Sequence, residues 1–143
     1  MSAEKNKKEA LRWLTTAHDD LDAAQILFDH AKFALSCFHS QQAGEKAVKA
    51  LCYYADIEPW GHSIRKIIED LNQQNHSFFV LLSPFIKNAI SLDRFYIPTR
   101  YPDGLPDISP KDAYVADDSS QGIALATSIL DCVDAIIKNI HKS

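Results

Sequence analysis

Only four glycines occur in 143 residues, and the first 95 residues contain just two prolines, Pro59 and Pro84. Stretches this long without either residue favour helices, since nothing in them forces a turn. Cysteine is equally sparse. Cys37, Cys52 and Cys132 are odd in number, far apart and form no CxxC pair. They suggest neither a disulfide framework nor a zinc site, and read as buried thiols within apolar patterns. No apolar run approaches the ~20 residues of a membrane span. Met1-Ser2-Ala3-Glu4-Lys5 also lacks the apolar stretch of a signal peptide, so a cytoplasmic protein is expected. Positive charge is short as well: 15 Lys and Arg face 19 Asp and Glu, a net charge of −4. A broad grip on duplex DNA needs clustered basic residues and is not expected. A small basic pocket for a nucleotide or an RNA end is compatible with this balance.

Chemical motifs are missing too. No two of His18, His30, His39, His62, His76 and His141 are placed as paired metal ligands. Neither a Gly-x-Ser-x-Gly elbow nor a Gly-rich phosphate loop occurs. No metal, cofactor or self-contained catalytic residue is expected.

What is present is helical periodicity over one domain-sized length, residues 1–143. With 46% apolar residues the chain can bury a core without staples. Leu11, Leu14, Ala17, Leu21, Ala24 and Phe28 recur at spacings of three and four and predict a first helix from near Glu4 to near Ala31. Asp19, Asp20 and Asp22 lie largely off that stripe and read as solvated. A second helix is predicted over Lys32 to Ala55, with Ala43, Ala47, Ala50, Leu51 and Tyr54 on its apolar face and small Ser40 and Gly44 beside them. The two should pack as an antiparallel pair. Glu58-Pro59-Trp60-Gly61 breaks the chain, and Ser63 caps a third helix that buries Ile64, Ile67, Ile68 and Leu71. Phe78 to Phe95 reads as helical, restarted at Ser83-Pro84. Pro98, Pro102, Pro106 and Pro110 then recur every four residues and predict an extended, stiff loop. The last helix begins near Asp117 or Asp118, with Gln121 completing a capping-box-like start. It buries Ala126, Ile129, Leu130, Val133, Ile136, Ile137 and Ile140. The expected fold is an all-α, up-and-down helical bundle of about five helices with a proline-rich loop before the last.

Two constellations carry possible chemistry. Arg94, Tyr96, Arg100, Tyr101 and Asp103 share the proline-rich loop and its approach. Arg offers a planar fork of donors for phosphate, and an aromatic ring offers a stacking surface for a base. Equally, the arginines could pair with Asp93, Asp103 or carboxylates of the first helix and pin the loop down. On the second helix Gln42, Glu45 and Lys49 share a face, with Lys46 at its edge. Lys46 and Lys49 could neutralise a phosphate; the plainer reading is a solvated face of weak pairs or a polar dimer surface. His62, at a helix start, reads as a local hydrogen-bonding residue more readily than a catalytic one, and His39 lies near the polar face.

Several of these segments resemble the HEPN family, named for higher-eukaryote and prokaryote nucleotide-binding domains. The alternating Ala/Leu pattern of Ala17 to Ala31 resembles the family's first helix. Gln41-Gln42-Ala43-Gly44-Glu45-Lys46-Ala47-Val48-Lys49-Ala50-Leu51 resembles its second-helix signature. His62-Ser63-Ile64 is similar to the family's His-Ser-Leu start of the third helix. Leu92-Asp93-Arg94-Phe95-Tyr96-Ile97-Pro98-Thr99-Arg100-Tyr101-Pro102-Asp103 is the most specific piece. The resemblance implies a helical bundle that dimerises and partners a minimal nucleotidyltransferase, with nucleotide binding in some members and ribonuclease or toxin activity in others. The ribonuclease branch carries Arg followed four to six residues later by His near the final helices. Neither Arg94 nor Arg100 has such a His, and Arg12 with His18 fits only on the first helix. The sequence is therefore read as a dimeric binding module that partners a nucleotidyltransferase. A ribonuclease with an arginine-centred site, and an antitoxin acting only by protein contact, are the alternatives.

Overall fold

The computed structural model describes residues 2–97, 101–105 and 107–142. Helix α1 spans Ala3–Asp29, α2 Phe33–Tyr54, α3 Ile64–Gln74, α4 His76–Leu82, α5 Ile86–Asp93, α6 Pro110–Ala113 and α7 Ala116–Lys142. Turns of 3₁₀ helix occupy Ser83–Phe85 and Pro102–Gly104, and no strand occurs among the described residues. The all-α bundle predicted from periodicity forms, and Pro84 falls in the 3₁₀ turn that separates α4 from α5. No helix among the described residues is long and apolar enough to cross a membrane.

Local chemistry sets the boundaries. The Ser2 hydroxyl accepts from the Lys5 N–H at 3.2 Å and opens α1; Ser63 does the same for α3, from Lys66 at 3.1 Å. Asn75 ends α3 and starts α4, its side chain accepting from the Phe78 N–H. Helix α7 begins one residue before the predicted start. The carboxylate that bonds back to its entry is Asp118, accepting from the Val115 N–H at 2.9 Å, rather than Gln121.

Glycine's scarcity is felt at the helix ends. Ala31 (φ 58°) and Asp56 (φ 59°) occupy the left-handed position that follows α1 and α2. Each closes a double hydrogen-bonded cap: Lys32 N–H to Leu27 O at 2.8 Å with Ala31 N–H to Phe28 O at 3.0 Å, and Ile57 N–H to Cys52 O at 2.9 Å with Asp56 N–H to Tyr53 O at 3.1 Å. These are Schellman motifs built without glycine.

Helix α2 sits in the middle. Buried residues lie on every side of it, from Ala34 to Cys52. Helix α1 packs antiparallel to it as expected, with Ser36 Oγ donating to Ala24 O at 2.7 Å. The small residues serve other neighbours. Ser119 of α7 bonds to Ser36, and Gly122 lies against Ser40, so a Cβ there would come within 3.5 Å of the Ser40 Cβ. Gly44 admits Ile64, Leu92 and Ile129 from α3, α5 and α7. Leu51, Ile64, Ile68, Leu71, Leu82, Leu92, Ile129 and Leu130 are fully buried, each contributing about 1.5–3 kcal/mol of transfer free energy.

Two further expectations change. The α1 stripe runs through Ala10, Leu14, Ala17 and Ala24, leaving Leu11 40% exposed. The proline-rich segment is not extended throughout. Tyr101 N–H bonds to Ile97 O at 3.1 Å, Pro102–Gly104 is a 3₁₀ turn, and Pro110 opens α6 at the one helical position that tolerates it.

Candidate functional site

The polar residues of α2 are inside the protein. Glu45 is 3% exposed, Lys49 8% and Gln41 0%. The solvated face expected for Glu45 and Lys49 therefore does not exist, because α2 has neighbours all round and polar side chains at i, i+4 spacing must satisfy one another there. Lys49 Nζ lies 3.1 Å from Glu45 Oε2 and 5.8 Å from the centre of the Trp13 ring. Gln41 Nε2 donates to Glu45 Oε1 at 3.1 Å and to the His62 carbonyl at 3.3 Å, while Gln42 donates to Gln41 Oε1 at 2.8 Å. A buried carboxylate so enclosed is held in one orientation.

The ladder leads outward to the surface. His62 Nδ1 sits 3.3 Å from Glu45 Oε2, and the imidazole side chain is 56% exposed. Its ring stacks on Tyr96, with centroids 4.6 Å apart and planes 16° apart. Asp93, at the end of α5, fixes the base of this arrangement. Its carboxylate accepts from Ser63 Oγ at 3.0 Å, Ile64 N–H at 2.8 Å and Arg65 N–H at 3.1 Å. A negative charge at three donors of a helix start is favourable by both hydrogen bonding and the helix dipole. The end of α5 is thus locked to the start of α3, and the bland pairing of Arg94 with Asp93 is replaced by this cap. Arg94 is exposed, and its guanidinium takes no ion pair or hydrogen bond among the described residues.

The other predicted residues fall into separate places. Tyr101 is 49% exposed, Asp103 is exposed in the 3₁₀ turn, and Arg100 lies outside the described residues. Lys46 points to α1, its Nζ 2.6 Å from Asp20 Oδ2, with His39 Nδ1 3.0 Å from Asp20 Oδ1. Asp20 was expected to be solvated and is instead mostly covered. Burial pushes its pKa up, but the hydrogen bonds and charges of His39 and Lys46 together outweigh this and hold it below its ordinary 3.8. Lys49 and Tyr96 are therefore joined, through Glu45 and His62, whereas Lys46 belongs to a different trio.

A depression of about 300 Å³ lined by Glu9, Arg12, Trp13, Thr16 and Lys46 reaches that trio. A cavity of about 340 Å³ lies elsewhere, at the α1–α2 turn, between residues including Lys32, Phe33, Pro110 and Lys111. None of the predicted site residues lines it. The thiols behave as read for Cys37 and Cys52, whose pKa values burial pushes up to about 12; Cys132 is only partly buried. No group of three or more His, Cys, Asp or Glu suited to a metal ion occurs among the described residues.

Reasoning from the sequence missed the Glu45–His62–Tyr96 chain and the Asp93 cap. The one available signal was the density of Ala, Ser, Gly and Cys along α2, which marks a helix surrounded by others.

Comparison with known proteins agrees with this architecture. The HEPN domain profile matches residues 10–138. A Methanocaldococcus jannaschii protein named "Putative toxin MJ1304" is 27% identical over 139 residues, covering 93% of this chain and 91% of its own. The crystal structure of TT1696 from Thermus thermophilus is 32% identical with a TM-score of 0.79, covering 89% of this chain and 97% of that one. That of ST0689, an archaeal HEPN homologue, is 32% identical with a TM-score of 0.73, over 90% and 98% respectively. From the second-helix ladder to the capped start of α3, the segments that resembled the family lie inside a match spanning nearly the whole chain, and the protein belongs to the HEPN domain family.

Proposed function

We propose that this chain is a HEPN-type binding module that holds a ribonucleotide phosphate at the surface around the start of α3. The carrying observation is Arg94: an exposed guanidinium without an ion pair among the described residues, anchored beside Asp93 and two residues from a fixed aromatic pair, His62 on Tyr96. A guanidinium fork suits phosphate oxygens, and a ring held in place stacks a base without first being ordered. Tyr101 and Asp103, both exposed, are proposed as further contacts, and Arg100 lies outside the described residues. Lys49 acts from behind, through Glu45, rather than on the ligand, and Lys46 stays paired with Asp20 apart from it.

The partnership with a minimal nucleotidyltransferase and the dimeric state belong to the same proposal and rest on the family resemblance; a cytoplasmic setting is proposed with them. A toxin role is a second reading, favoured by the name carried by the M. jannaschii relative and by the exposed imidazole of His62. The test is a thermal-shift titration with ATP, other ribonucleotides and magnesium, since a ligand held only by the folded state raises Tm by mass action. A saturable rise that Arg94→Ala removes supports the proposal. No shift at millimolar ribonucleotide, with wild-type protein folded, sinks it.

A further inference from the structure

We propose that the cavity at the α1–α2 turn binds a small organic anion with an apolar body, of the class of medium-chain carboxylic acids. This site is separate from the surface around the start of α3 and does not depend on the function proposed there. The cavity measures about 340 Å³, near the lower end of the ~300–1,000 Å³ usual for small-molecule sites. Its walls come from two segments: the turn from His30 to Leu35, and Pro110 with Lys111 at the start of α6. Most of the lining is apolar. Phe33, Leu35 and Pro110 face it, Leu35 is left 45% exposed, and the Phe33 ring meets Phe28 edge-on with centroids 5.9 Å apart.

The charge on the walls has one sign. Lys32 comes from the turn and Lys111 from α6, and neither ammonium takes an ion pair among the described residues. His30 stands beside them, its Nδ1–H donating to the Ile26 carbonyl at 2.9 Å. Neither Asp29 nor Asp112, the acids nearest in sequence, lines the cavity, and Asp29 accepts instead from Gln25 Nε2 at 3.0 Å. In a chain of net charge −4, a wall with cations and no carboxylate is not what average surface composition supplies. Backbone donors complete this polar end. Lys32 gives α2 no side-chain cap, and the amides of Phe33, Ala34 and Leu35 find no acceptor among the described residues. Ala34 is only 6% exposed, and covered backbone donors are normally paired with protein, water or ligand. A carboxylate seated there meets two ammoniums and those amides, while its apolar body lies along Phe33, Leu35 and Pro110. The walls select against a nucleotide or sugar. No lining side chain offers a hydroxyl, amide or carboxylate, so ribose hydroxyls would be desolvated without partners.

The experiment titrates the nitrogen-labelled full chain with sodium hexanoate, hexanol, sodium acetate and AMP, and follows backbone amides by proton–nitrogen correlation NMR. Hexanol keeps the apolar body without the charge, and acetate keeps the charge without the body. The expected result is a saturable shift of the Phe33, Ala34 and Leu35 amides with hexanoate, at a Kd of about a few millimolar or tighter. Hexanol and acetate should each bind at least about tenfold more weakly. Replacing both lysines, Lys32→Ala with Lys111→Ala, should weaken hexanoate by about tenfold and leave hexanol unchanged. Both side chains are exposed, and circular dichroism confirms that the variant is folded. Leu35→Asp, which puts a carboxylate on the wall, should abolish the hexanoate shift. The inference is overturned by the absence of any shift at these amides up to about 50 mM hexanoate. Equal affinity for hexanol and hexanoate, or full hexanoate affinity without the two lysines, overturns it as well, since either reduces the cavity to an apolar groove. AMP bound more tightly than hexanoate at the same amides contradicts the selection against ribose and overturns it too.

Discussion

Removing the Asp93 carboxylate should unlock α5 from α3 and with it the surface on which Arg94 and Tyr96 stand. In Asp93→Ala the donors Ser63 Oγ, Ile64 N–H and Arg65 N–H lose their acceptor together. Losing a side-chain cap costs about 0.5–2 kcal/mol. The anion's favourable placement at a helix start adds about 0.3–1 kcal/mol. Ile64 is fully buried, and an orphaned donor there adds about 1–3 kcal/mol. These contributions overlap, because one carboxylate makes them all, so about 2–4 kcal/mol is expected in total. For a domain of this length that corresponds to a fall in Tm of about 5–12 °C. Asp93→Asn keeps one accepting oxygen and should lose roughly half as much. Urea denaturation followed by circular dichroism measures both. A loss below about 0.5 kcal/mol in Asp93→Ala would refute the claim that this cap holds the two helices in register.

Other outcomes follow from the same geometry. Ala31→Gly should stabilise the protein by about 1 kcal/mol in urea denaturation, since alanine is strained at φ 58° and the cap suits glycine. Asp20 gives a pH-dependent term. Its folded pKa lies below its ordinary 3.8, so its stabilisation is fully present above that value and lost as pH falls through the lowered one. The stability difference between wild type and Asp20→Asn should therefore be constant near neutrality and shrink below about pH 4. Glu45→Ala should cost about 3–5 kcal/mol by denaturation, because it strands the ammonium of Lys49 in the interior. A thiol reagent on native protein at neutral pH should leave Cys37 and Cys52 unmodified until urea unfolds the chain, their pKa values being about 12.

The helices were legible because their periodicity depends on nearest neighbours along the chain. Ile64, Ile67, Ile68 and Leu71, and Ala126, Ile129, Leu130, Val133, Ile136 and Ile137, are buried as their spacing predicted, while Ile140 is only partly covered. The polar ladder was not legible. Gln41, Glu45 and Lys49 show the same spacing on a peripheral helix and on a surrounded one, and only the packing of α1, α3, α5 and α7 around α2 decides which it is. Leu11 erred for a related reason: the true stripe passes through Ala10, one position away, whose small side chain lets α1 close on its neighbours. Long-range partners were out of reach altogether. Asp93 meets its donors across 28 to 30 residues, and the His62–Tyr96 stack likewise joins segments far apart in the chain. The glycine-free ends at Ala31 and Asp56 left no mark: alanine gives no signal of a left-handed turn, and aspartate, which tolerates one, is far commoner on helix surfaces and caps. Arg94 and Tyr96 were chosen by residue type; the structure stacks Tyr96 on His62, joins Lys49 to that pair only through buried Glu45, and takes Lys46 away to Asp20.

The most direct test of the account asks where a ribonucleotide strand sits. Anisotropy of a labelled 2′-deoxy-substituted strand, which any nuclease acting through the 2′-hydroxyl leaves intact, should be titrated with wild type, Arg94→Ala, Tyr96→Ala and Lys111→Ala. The account predicts that the first two variants weaken binding by about tenfold or more, as loss of a phosphate contact or a stacking ring does, while Lys111→Ala binds like wild type. Unchanged affinity in Arg94→Ala and Tyr96→Ala, with loss in Lys111→Ala, would contradict it and move the site to the cavity at the α1–α2 turn.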